Sequence, residues 1–234
     1  MPIHVYENWN KRLSDEEEQI EPYRKYFFIC EGANTETFYF ERLIDQRKEL
    51  GIHPLIDMRL LEKTDEDRNM SYAKNLFEFA KIIKGEPENG FDTERDKMVI
   101  VFDGDVFEEK VSGYDELIAA IEYEGDIPAV TNPGFELFLI LHFEKAYDMY
   151  VKGKEKDFLT KDDKNKYSHA YNVLRELSGM NAKKNREIGC LADNVKIAII
   201  QEKFINQNVR DVKGKVSSNL GKIIEGIINE EPSV

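Results

Sequence analysis

The chain has 234 residues, 41% of them hydrophobic and 34% charged, with a net charge of −13; this is enough apolar material to bury a core and too much for a disordered chain. No apolar run is long enough to span a bilayer, since even Phe135 to Phe143 is interrupted at Glu136 and His142. The first residues lack a basic-then-apolar leader, and two cysteines, Cys30 and Cys190, make no disulfide framework, so a cytoplasmic protein is expected.

Residues 1–23 are polar, with an acidic block at Asp15-Glu16-Glu17-Glu18, and read as an N-terminal extension carrying at most a short helix. Lys25 to Cys30 is a continuous apolar run of β-formers, as a strand buried on both faces requires. It stops at Glu31-Gly32, where Asn34 and Thr35 can cap a helix whose apolar stripe is Phe38, Phe40, Leu43 and Ile44, ending at Gly51. The pattern then repeats. A strand is predicted over 53–61, a helix over 71–84, a Pro/Gly-containing loop over 85–96, a strand over 97–102 ending in Asp103-Gly104-Asp105, and a helix over 114–123. A short strand over 127–131 and the turn Asn132-Pro133-Gly134 lead into an apolar helix from Phe135 to about Tyr150. Apolar strands alternating with helices predict an α/β domain over 24–150, with a mostly parallel, Rossmann-like sheet and flanking helices. Residues 151–234 show helical patterns only near 168–177, 193–206 and 217–228, and are expected to form a helical appendage packed on that domain.

Ligands of open parallel sheets bind beyond the carboxyl ends of the strands. Glu31 ends the first strand, and Asp103 and Asp105 end the third, so the three carboxylates are expected at one sheet edge. Clustered carboxylates repel unless a cation or proton lies between them. Oxygen-only donors suit Mg²⁺ or Mn²⁺, whereas the cysteine–histidine set of a zinc site is absent from the sequence. Such a site serves phosphodiester chemistry, because a bound cation neutralises phosphate and activates water. The alternative is that Asp-Gly-Asp is only a turn. Charge is also uneven: residues 1–150 hold 17 basic and 34 acidic residues, residues 151–234 hold 16 and 12. An acidic half with a metal beside a basic half that meets phosphate fits a nucleic-acid enzyme, and two solvated faces account for the imbalance equally well.

Three segments in order carry a family resemblance. Ile29-Cys-Glu-Gly-Ala-Asn-Thr-Glu-Thr-Phe-Tyr-Phe40 resembles the opening motif of RloB-like proteins, of the TOPRIM superfamily. Val99 to Asp105 resembles the superfamily's Asp-x-Asp motif, and Thr131 to Phe143 resembles the family's Asn-Pro-x-Phe-Glu block. Ser217-Ser218-Asn219-Leu220 is similar to the family's ending. The resemblance implies a TOPRIM fold and a Mg²⁺-dependent centre that cuts RNA or DNA, with Glu31 as general acid/base and Asp103 and Asp105 as metal ligands. It also implies a role in bacterial antiphage defence by abortive infection, beside an ABC-type ATPase.

Other positions are open to two readings each. Glu136, at a helix start, faces the strand-end crevice or serves the helix dipole, and Glu36 matches a family glutamate or caps its helix. Asn132 shapes the turn or supports the site, and His142 is a hydrogen-bonded core histidine or a supporting group. His169 meets phosphate or begins a helix. Lys183, Lys184, Arg186, Lys213 and Lys215 are candidate nucleic-acid contacts or solvated charges. Two competing functions remain: a non-catalytic interaction or sensor module, and a haloacid-dehalogenase-like phosphatase using Asp103. The phosphatase reading lacks its ordered partners, since the acidic pair Asp162-Asp163 follows no predicted strand.

Overall fold

The computed structural model describes residues 4–7, 22–32, 34–62, 73–105, 113–160 and 167–232. Strands β1 (His4–Glu7), β2 (Arg24–Cys30), β3 (Ile56–Glu62), β4 (Lys97–Asp103), β5 (Ile127–Asn132) and β6 (Ser217–Ser218) form one sheet in the order β1-β3-β2-β4-β5-β6. The four inner strands are parallel, and β1 and β6 pair antiparallel at the two edges. The fold is α/β and mostly parallel, as the alternation predicts. His4–Glu7, expected as part of a polar extension, is instead an edge strand registered against Arg59 to Glu62; a strand at a sheet edge needs no apolar run. The acidic block Asp15–Glu18 lies outside the described residues.

The central strands β2 and β4 are apolar because both of their faces are covered. Along β2, Tyr26, Phe28 and Cys30 enter one core, and Phe27 and Ile29 the other, following the two-residue period of a strand. Helix α1 (Thr35–Asp45), followed by the short α2 (Arg47–Leu50), covers the first face; α3 (Ala73–Gly85) and α4 (Tyr114–Tyr123) cover the second. The chain runs outward from β2 through α1 to β3, then back across β2 through α3 to β4. The direction of winding therefore reverses between β2 and β4, which makes their carboxyl ends the switch point where a crevice opens.

The helix predicted from Phe135 to Tyr150 is shorter than its apolar run. Helix α5 spans Phe135–Ile140, Lys145 is left-handed with φ 57°, and a π-helical turn follows at Tyr147–Val151. The break is sustained by Gln201, which donates to the carbonyls of Leu141 and Phe143, each at 2.7 Å, and accepts from Tyr147 N–H at 2.8 Å. Backbone groups released from the helix thus regain partners.

In the C-terminal third, α6 (Glu155–Leu159) arises in a lysine-rich stretch without periodicity; its one buried residue, Phe158, supplies too little pattern to see. Helix α7 (His169–Ser178) is capped by Ser168 and stopped by left-handed Gly179. The predicted helix over 193–206 is a 3-10 segment, Arg186–Asn194, followed by α8 (Val195–Glu202). That over 217–228 is β6 followed by α9 (Leu220–Ile228). Residues from α1, α5, α7, α8 and α9 share one continuous apolar core. The 3-10 segment lies so close to α1 that a Cβ on Gly189 would stand 2.2 Å from the Phe38 carbonyl oxygen. Among the described residues no helix is long and apolar enough to cross a membrane.

Candidate functional site

Register places the acids. Cys30 pairs with Val101 and Asp103 with Thr131, so Glu31 and Asp103 leave adjacent strands at the switch point. The Glu31 carboxylate accepts the backbone N–H of Asp103 at 3.2 Å, and Glu31 N–H donates to the Val101 carbonyl at 2.9 Å. Asp103 Oδ1 accepts from Thr131 Oγ1 at 3.1 Å and from the Phe135 N–H, in the first turn of α5, at 3.0 Å. These bonds fix the Asp103 rotamer.

Two glycines make room. Gly104 N–H donates to the Thr131 carbonyl at 2.7 Å, and a Cβ there would lie 3.2 Å from Asn132 Cβ. Its φ is not positive, so Gly104 serves close packing against β5 rather than a left-handed turn. At Gly134 a Cβ would stand 3.1 Å from Asp103 Oδ2 and 3.2 Å from Glu136 Oε2; both carboxylates therefore flank one glycine. Glu36 folds back over Gly32, where a Cβ would meet its Oε2 at 2.0 Å.

The electrostatics follow from this company. Burial drives the pKa of Asp103 well above the ordinary carboxylate range, and Glu36, Glu136, Glu31 and Asp105 add to the rise. Five acids thus share one field. Four of them line two adjoining crevices of about 210 and 230 Å³: one holds Asp103, Asp105, Glu136, Tyr167, Tyr171 and Lys183, and the other Glu36, Asp103, Glu136 and Lys183; Glu31 lines neither. Lys183 is the basic residue lining both.

The donors in the crevice are carboxylates, a hard oxygen set of the kind that Mg²⁺ and Mn²⁺ take. Among the described residues no three Asp, Glu, His or Cys side chains are arranged, as they stand, to hold a metal ion.

The family model described as RloB-like protein matches residues 26–227, which takes in every strand-end acid and the whole crevice. The chain belongs to the RloB-like family. No curated protein and no solved structure matches it.

Within this RloB-like chain the remaining candidates separate. His142 is in the core, 1% exposed; its Nε2 pairs with Tyr39 Oη and its Nδ1 with the Phe138 carbonyl, each at 2.9 Å. Burial lowers its pKa to about 4. Asn132 is buried, and its Nδ2 donates to the carbonyls of Val212 and Lys215 at 2.9 and 3.0 Å; it ties the 206–216 loop to the end of β5. His169 packs edge-on against Phe158 and does not line the crevice. Arg186 pairs with Glu41 and Lys215 with Asp211, whereas Lys184 and Lys213 are exposed away from the lining. Asp162 and Asp163 lie outside the described residues. Sequence reasoning missed Thr131, Tyr167 and Tyr171. The two tyrosines carry a legible signal, a four-residue spacing across the cap serine of a helix.

Proposed function

We propose that this RloB-like chain is a divalent-metal-dependent endonuclease of the TOPRIM type, cutting phosphodiester bonds of RNA or DNA. The convergence of Glu31, Glu36, Asp103, Asp105 and Glu136 at the switch point, with the pKa of Asp103 raised by burial first and by the other four acids in addition, carries this reading. A cluster of like charges that costs stability is retained for what it binds. Asp103, with Asp105 or Glu136 beside it, would hold Mg²⁺ or Mn²⁺ together with substrate oxygens and water. Bound there, the cation supplies neutralisation of phosphate charge and a more acidic water.

The protein's own groups do the rest. Glu31, whose carboxylate accepts the Asp103 N–H beside the crevice, would take or give a proton at the reacting oxygens. Thr131 and the Phe135 N–H keep the Asp103 carboxylate in place as substrate enters. Lys183 offsets the acidic field where phosphate approaches. The family resemblance supports a cytoplasmic effector of antiphage defence acting beside an ABC-type ATPase.

The test is incubation of the purified protein with total RNA and plasmid DNA, with Mg²⁺, Mn²⁺ or chelator. Cleavage is expected with either metal and not with chelator, and Glu31→Gln should slow it by about 10²–10⁴-fold, the usual worth of a general acid/base. Undiminished cleavage by a Glu31→Gln/Asp103→Asn double variant would overturn the assignment.

A further inference from the structure

The crevice that holds Asp103, Asp105 and Glu136 is also lined by aromatic rings. Tyr167 and Tyr171 stack with centroids 4.4 Å apart and planes at 18°. Tyr171 is 2% exposed and its hydroxyl donates to Asn181 Oδ1 at 2.9 Å, so the lower ring is locked. The same Asn181 oxygen accepts Lys183 N–H at 3.2 Å, and the Lys183 carbonyl accepts Asn34 Nδ2 at 3.1 Å. Lys183 Nζ lies 5.8 Å from the Tyr171 centroid. Tyr167, only half-buried, lines the crevice with Asp103, Asp105 and Glu136. A ring stack and a lysine thus line the same crevice as the acids.

We propose that Tyr167, backed by Tyr171 and flanked by Lys183, is a stacking platform for an unpaired base beside the cleaved phosphodiester, so that the substrate is single-stranded RNA or DNA. The inference rests on the nuclease reading above. A base inside a duplex has both faces covered by its neighbours and cannot use such a platform, whereas an unpaired base stacks on an aromatic ring whatever its identity. Because Tyr171 already holds the stack in place, little ordering cost remains when a base arrives. Lys183 supplies the phosphate contact that an acidic crevice otherwise opposes.

The test is binding, measured by fluorescence anisotropy with Ca²⁺ in place of Mg²⁺. The probes are short single strands of RNA and of DNA, the same sequences as duplexes, and single strands carrying one abasic position in turn. Tyr167→Leu should weaken single-strand binding by about 5- to 150-fold, the worth of one stacked base, and Tyr167→Phe should restore it. One abasic position should erase the difference between wild type and Tyr167→Leu. Lys183→Gln, at an exposed position, should reduce the slope of log K against log salt by about 0.7, one single-strand phosphate contact. Equal binding by wild type and Tyr167→Leu, with a melting temperature showing the variant folded, would overturn the platform while leaving wild-type cleavage intact. Equal weakening on duplexes and abasic strands would do the same. If the wild type neither binds nor cuts any nucleic acid, the nuclease reading falls and the platform falls with it.

Discussion

Burial raises the pKa of both Glu202 and Asp103, yet the surroundings of these two carboxylates are opposite. Glu202, at the end of α8, is 0% exposed and accepts from Ser218 Oγ at 2.5 Å, Gly221 N–H at 2.8 Å, and Lys222 N–H and Gln207 Nε2 at 2.9 Å. Burial raises its pKa, and these four donors pull it back. It caps the first turn of α9 from another helix, as an acid at a helix N-terminus should. Asp103 has two donors and four acids for company. The company, not the depth, separates a carboxylate that holds the fold from one that awaits a ligand.

The largest effect should come from breaking the satisfied member. Glu202→Ala strands several buried donors at about 1–3 kcal/mol each, so a loss of roughly 3 kcal/mol or more is expected in a denaturant melt. A loss below 1 kcal/mol would place Glu202 with the exposed, dispensable charges. His142, a third buried titratable group, sharpens the contrast. Its folded pKa of about 4 lies below the ordinary 6.5, so its neutral form supports the fold fully above pH 6.5 and that support is lost as pH falls through 4. The loss should reach up to about 3 kcal/mol at pH 4, and in His142→Gln stability should depend less steeply on pH over that window.

The smallest effect has the opposite sign. A folded pKa raised above the unfolded one means that ionised Asp103 costs stability as pH climbs past the ordinary carboxylate range. Asp103→Asn should therefore stabilise the protein at neutral pH without added metal, by about 0.5–2 kcal/mol, as relief of a strained site does. Added Mg²⁺ should raise the melting temperature of the wild type and not of this variant. A destabilised Asp103→Asn would mean that its two hydrogen bonds outweigh the repulsion.

The sequence made the parallel sheet legible because its central strands β2 and β4 are apolar on both faces, and it made the positions of Glu31, Asp103 and Asp105 at the strand ends legible because those apolar runs stop there. What it hid depends on distant partners. Nothing local stops the helix after Ile140, since the residue that sustains the break is Gln201, 60 positions from the Leu141 carbonyl it caps. Ser217-Ser218 looked like a helix start because two residues cannot show a strand's period. Glu36 carried two equal readings until its carboxylate was seen folded over Gly32. Tyr167 and Tyr171 gave a helical spacing without a reason to face the acids, which comes only from α7 packing beside α5.

The ties on β5 set an order on synthesis. Asn219 accepts from Val130 N–H and donates to the Pro128 carbonyl, at separations of 89 and 91 residues. Asn132 reaches forward 80 and 83 residues to the carbonyls of Val212 and Lys215. A nascent chain that has released all five acids from the ribosome still lacks the segment that ties β5, so these bonds form only once Asn219 has emerged.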